Sequence, residues 1–142
     1  MTPETDHTGR QRRSGASREL GRQGEDAAAS WYLAAGYRLL ARNWRCRFGE
    51  IDLVASRPGT IVFCEVKTRS TEAYGTPAEA VVWSKRRRLR RLAGQWLADQ
   101  RSGDRGSPSP APAGYAAEIR FDIAEVRRAD GHLEVSVIEN AF

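Results

Sequence analysis

Phe48 to Arg69, FGEIDLVASRPGTIVFCEVKTR, is the stretch on which the fold turns. Ile51, Leu53 and Ala55 alternate with Glu50, Asp52 and Val54, and further on Val62, Cys64 and Val66 alternate with Phe63, Glu65 and Lys67. Alternation with period two marks two strands. Between them Pro58 presets φ and Gly59 tolerates positive φ, which together make a turn. With those two as the central turn residues and no bulge, Leu53 falls opposite Cys64 and Ala55 opposite Val62. The same register sets Ile51 against Val66 and Asp52 against Glu65. The spacing therefore predicts a hairpin with one wholly apolar face, made of Ile51, Leu53, Ala55, Val62, Cys64 and Val66. The opposite face carries Glu50, Asp52, Glu65 and Lys67, with Val54 and Phe63 beside them.

That second face has chemical consequences. Opposed strand residues hold their Cβ atoms about 4.5–5.5 Å apart, so Asp52 and Glu65 can share a cation. Carboxylates that close raise each other's pKa unless something positive neutralises them. Mg2+ or Mn2+ suits the task, because hard divalent ions prefer oxygen ligands and Mg2+ is often held by one or two carboxylates plus waters. Lys67 projects from the same face, where it can orient a water or stabilise charge on a phosphate. Glu50 is the spare acid, one step further from the turn than Asp52. The bland alternative is an exposed strand face whose charges simply pair.

Outward from the hairpin, the chain reads as a single domain. It has 142 residues, a net charge of +5 and 23 Lys and Arg residues, a balance that favours a polyanionic partner. Cys46 and Cys64 fit no metal-ligand spacing and no disulfide framework, so a reducing, cytoplasmic setting is expected. No apolar run is long enough to span a membrane. Residues 1–16 lack periodicity and are expected to form a disordered basic tail, leaving residues 17–142 as the domain. Ser17 is a candidate N-cap and Gly36 a candidate C-terminal stop for a first helix. Leu20, Gly24, Ala27, Ala28 and Trp31 line its packing face, and Glu25 stands at the edge of that stripe. Gly21 and Gly24 are costly inside a helix, and close packing or a close approach by a phosphate backbone would explain them.

Tyr37–Trp44 reads as a further strand ahead of the hairpin. After it, Thr76-Pro77-Ala78-Glu79 or Ser84 opens a second helix, with Leu89, Leu92, Ala93, Trp96 and Leu97 on its apolar face. Lys85, Arg86, Arg87, Arg88, Arg90 and Arg91 crowd its opening turns. Such density repels itself, and contact with a phosphate backbone would offset the cost; a solvated basic face is the alternative. Arg69 and Arg47 would extend the same surface. Residues 102–114, SGDRGSPSPAPAG, are expected to be a flexible loop within the domain. Strands over Glu118–Val126 and Leu133–Ile138 flank an Asp130-Gly131 turn. Asp122 reads either as an outlying acid or as a structural partner of Arg120, and His132 as exposed. The order α-β-β-β-α-β-β predicts an α/β domain, a mixed β-sheet flanked by helices.

Asp52, a short turn and then Glu65-Val66-Lys67 resemble the D…(D/E)-x-K core of restriction-endonuclease-like nucleases. More narrowly, Gly21-Arg22-Gln23-Gly24-Glu25, Asn43-Trp44-Arg45, Gly49-Glu50-Ile51-Asp52-Leu53, Glu65-Val66-Lys67-Thr68-Arg69, Lys85-Arg86-Arg87, Arg120-Phe121-Asp122 and Asn140-Ala141-Phe142 resemble the uncharacterised bacterial YraN family. That family is related in fold to archaeal Holliday-junction resolvases. The resemblance covers roughly residues 18 to 142. It implies a restriction-endonuclease-like domain and a metal-dependent DNA endonuclease, acting on branched or structured DNA, with Mg2+ or Mn2+ on Asp52 and Glu65. It also implies that Glu25 joins the metal site, since a glutamate from this helix does so in the resolvase-like relatives. Lys67 would position the attacking water, and junction resolvases of this fold work as homodimers. A nucleic-acid-binding protein that keeps the fold without cutting is the alternative, and a domain docking an acidic protein is a third.

Overall fold

The computed structural model describes residues 7–69, 83–101 and 118–142. Helix α1 (His7–Ala34) leads into β1 (Arg38–Cys46), β2 (Gly49–Arg57) and β3 (Thr60–Arg69). Helix α2 (Trp83–Arg101) follows, then β4 (Glu118–Ala129) and β5 (His132–Ile138). The five strands form one sheet in the order β1-β2-β3-β4-β5. All neighbours are antiparallel except β3 and β4, which run parallel. A parallel pair needs a crossover, and α2 lies in that connection. The expected order and the mixed sheet flanked by helices are both present.

Turn chemistry places the strands as the sequence indicated. Gly59 adopts a φ of 83° and Arg57 pairs with Thr60, so Pro58-Gly59 is the hairpin turn. Leu53 stands opposite Cys64 and Ala55 opposite Val62. Asp130 and Gly131 both have positive φ, 47° and 81°, as a two-residue hairpin turn matching the strand twist requires. At the end of α1, Gly36 has a φ of 89°; its N–H donates to Leu33 O, and the Tyr37 N–H donates to Tyr32 O. This is a Schellman stop, completed by an edge-to-face contact between the Tyr32 and Tyr37 rings.

Three expectations are corrected. Helix α1 begins at His7, well ahead of Ser17, so Ser17 lies inside the helix and not at its cap. The β2–β3 ladder stops at Leu53 and Cys64, so neither Ile51–Val66 nor Asp52–Glu65 forms a ladder pair. Nor does Ile51 share the face of Leu53: it packs with Val54, Ile61 and Phe63. The strand changes sides at Asp52, across from Asn43, whose φ of 49° breaks the extended path of β1. The face expected to be polar is thus half apolar and is covered by a helix. The capping box at 76–79 and the loop at 102–114 lie outside the described residues.

The sheet buries a core on each side. Against α1, Leu53, Ala55, Val62, Cys64, Ala124 and Val126 pack with Ala28, Ala29 and Tyr32. Against α2, Ile51, Val54, Ile61 and Phe63 pack with Leu89, Leu92, Ala93 and Trp96. Asp122 belongs to the α1 side and is fully buried. It accepts from Tyr32 Oη at 2.7 Å, from Arg120 Nε at 2.9 Å and from the Asn140 N–H at 3.0 Å. A buried carboxylate with that many donors is structural, which decides between the two readings of this residue. Among the described residues no helix is long and apolar enough to cross a membrane.

Candidate active site

Past Leu53, β2 leaves β3, and the Asp52 side chain takes over the abandoned hydrogen bond. Its Oδ2 accepts from the Val66 N–H at 2.8 Å. That bond favours the ionised carboxylate, but burial, and then the charge of Glu65, outweigh it, with Glu25 and Glu50 adding to the repulsion. The Asp52 carboxyl is pushed up to about 7. Asp52 and Glu65 therefore meet on one side of the sheet without direct pairing. Lys67 follows on the same strand face, its Nζ 3.3 Å from Glu65 Oε1.

Helix α2 closes the other side. A cavity of about 270 Å³ is lined by Glu50, Asp52 and Glu65 from the strands and by Lys85, Arg88, Leu89 and Leu92 from α2, with Gly49 and Phe142 at its margin. The Phe142 ring stacks on Phe121, and Phe121 on Phe63, so an aromatic row ties the cavity to the α2 core. Lys67 neighbours Lys85 of α2. Burial pulls Lys67 down, yet its interaction with Lys85 and the nearby acids leave it raised. The same interaction, then partial burial, moves Lys85 down.

Glu25, on α1, does not line the cavity and bears on it only through its charge. Gly24 lies against Thr68 of β3, where an added Cβ would come within 2.9 Å of Thr68 Cβ. That contact settles one glycine as a close-packing device and holds Glu25 within electrostatic range of Asp52. Nothing lies within 4 Å of a Cβ placed on Gly21. Among the described residues no three His, Cys, Asp or Glu side chains converge into a group able to hold a metal. The donor set is a carboxylate pair, Asp52 and Glu65, flanked by Glu25 and Glu50. Its oxygens suit a hard divalent cation completed by waters, and the mutual repulsion of these acids calls for positive charge.

The cations are sorted by the fold into separate places. Lys85 and Arg88 face the cavity. Arg90 lies over Phe121, Arg86 over Phe142, and Arg47 and Arg91 over Phe48. Arg87 is exposed. Arg69 instead joins Glu125, at 3.7 Å, which also holds Arg127 through bonds of 3.0 and 2.8 Å. Glu125 is nearly buried and pairs in register with Lys67, so it extends the polar row of the site onto β4. Sequence reasoning missed it, because alternation assigns a residue to a face of its own strand and not to a neighbour across a parallel pair. His132 is exposed, 3.2 Å from Glu134, and takes no part.

Comparison with known sequences places the chain in a family. The model of an uncharacterised protein family, UPF0102, matches residues 24–126, from the helix glycine at Thr68 to the end of the α1-side core. A UPF0102 protein of Symbiobacterium thermophilum is 49% identical over 127 residues, covering 89% of this chain and 98% of that one. A relative from Nocardia farcinica is 46% identical over 123 residues and 87% of both chains. One from a Parafrankia species is 49% identical over 127 residues, 89% of this chain and 98% of its own. Similarity of this depth across strands, helices and cavity makes the chain a member of the uncharacterised protein family UPF0102.

Proposed function

We propose that the protein is a metal-dependent nuclease that hydrolyses phosphodiester bonds in DNA, with branched or structured DNA as its substrate. The observation that carries this reading is that Asp52 and Glu65, both half-buried, line one cavity whose other wall carries Lys85 and Arg88. An exposed strand face with paired charges would not draw two half-buried acids into one cavity. Asp52 and Glu65 would hold Mg2+ or Mn2+, with Glu25 assisting from α1. A bound divalent ion would polarise the phosphate and lower the pKa of its water. Lys67, anchored at Glu65, orients the attacking water, and the arginines of α2 track the phosphate backbone. Free Cys46 and Cys64 suit a reducing cytoplasm, and the resolvase resemblance suggests a homodimer.

The second reading, a nucleic-acid-binding protein that does not cut, is favoured by the absence of a converged three-ligand group among the described residues. One experiment separates the two. Labelled single strand, duplex, flap and four-way junction are incubated with Mg2+, Mn2+ or EDTA, using the wild type, Asp52→Asn and Lys67→Ala. Metal-dependent cutting by the wild type, lost in both variants, is the expected result. Binding without cutting under every metal would establish the second reading instead.

A further inference from the structure

The cluster of cations on α2 is not one surface. Lys85, Arg88, Leu89 and Leu92 recur at helical spacing and share the stripe that lines the cavity. Arg87 lies off that stripe, and Arg90 and Arg91 lie over Phe121 and Phe48. One contact fixes Arg88 in the cavity. Gly49 has a φ of 139°, and a Cβ built there would stand 3.5 Å from Arg88 Cδ, so the arginine stem packs on glycine backbone. Lys85 lines the same cavity one turn earlier on α2. Among the described residues no ion pair ties Arg88 to the cavity acids. Its guanidinium is therefore available to a ligand, in a cavity of about 270 Å³ that has room for a phosphate and several waters, each about 30 Å³.

We propose that Lys85 and Arg88 form a phosphate clamp, binding the non-bridging oxygens of the scissile phosphodiester from the α2 side while the carboxylate wall faces it from β2 and β3. Guanidinium presents paired donors to phosphate oxygens, and an ammonium adds a compact charge. The two residues are thus part of the site itself, whereas Arg87 follows the backbone further along. This inference rests on the nuclease reading for its substrate, and its test stands apart from cleavage.

The probe is thymidine 3′,5′-bisphosphate, titrated calorimetrically into the protein in Mg2+. Wild type, Lys85→Ala, Arg88→Ala, Arg88→Gln and Arg87→Ala are compared, the glutamine keeping the stem on Gly49. Each cavity substitution should weaken binding at least about tenfold, the factor expected for losing a hydrogen bond to a charged group, and Arg87→Ala less than about twofold. In DNA cleavage Arg88→Gln should lower kcat, and Arg87→Ala should raise KM. Bisphosphate binding that is absent in the wild type, or no more sensitive to Arg88 and Lys85 than to Arg87, overturns the clamp. Bisphosphate bound through Lys85 and Arg88 without cleavage of any DNA overturns the nuclease reading and leaves the clamp standing.

Discussion

Asp52 does two things that pull against each other. Its carboxylate replaces a strand partner at the Val66 N–H, and it sits half-buried near Glu65. An acid whose folded-state pKa is raised stabilises the fold most below its unfolded value, here 3.8, and that contribution is lost as pH rises through about 7. Stability should therefore fall between about pH 4 and pH 7 by on the order of 4 kcal/mol from this residue. Denaturant unfolding across that range measures the slope. Asp52→Asn, which keeps an oxygen for Val66, should flatten it. Adding Mg2+ at pH 7.5 should raise the wild-type Tm and leave that of Asp52→Asn unchanged. A Tm indifferent to Mg2+ in both proteins would count against a cation at Asp52 and Glu65. Asp122, by contrast, is satisfied by three partners, and Tyr32→Phe should cost about 1–2 kcal/mol in thermal or chemical unfolding.

At the scale of the element, two glycines one helical turn apart carry different burdens. Gly24 lets α1 lie on Thr68, and Gly24→Ala should destabilise by about 1–3 kcal/mol as the helix is pushed from β3. Because Glu25 moves with it, any cleavage activity should fall in the same variant even at temperatures where it stays folded. Gly21 meets nothing, so Gly21→Ala should stabilise α1 by up to about 1 kcal/mol through helix propensity alone. Paired thermal melts decide this. A loss of DNA affinity in Gly21→Ala without loss of stability would point to phosphate contact at that bare position.

For the molecule as a whole, the sheet divides labour between its sides. The α1 side holds the buried Asp122–Arg120 network, and the α2 side holds a core that ends in the cavity. Trp96 is buried there, edge-to-face with Phe63 at 5.8 Å. Trp96→Ala should cost about 3–5 kcal/mol and take the cavity wall with it. Under the proposed function, the net charge of +5 and the exposed arginines of α2 should make binding to DNA fall linearly with salt on a log–log plot. Arg87→Ala should reduce that slope by about 1, equally for every sequence tested. An affinity independent of salt would indicate a partner other than nucleic acid.

The local chemistry of the chain determined a good deal by itself. Pro58-Gly59 and Asp130-Gly131 demanded their turns, Gly36 ended α1, and alternation set Leu53 against Cys64, because backbone φ and side-chain period are properties of a few consecutive residues. It also marked Asp52, Glu65 and Lys67 as neighbours. Tertiary structure alone decided that β2 parts from β3 at Leu53, that Ile51 changes sides, and that a helix roofs the acids. It alone brought Glu125 level with Lys67 and divided the α2 cations between cavity and surface. These outcomes depend on partners distant in the chain, across a parallel pair and a helix crossover. Alternation within a strand carries no information about which residue of another element will stand opposite.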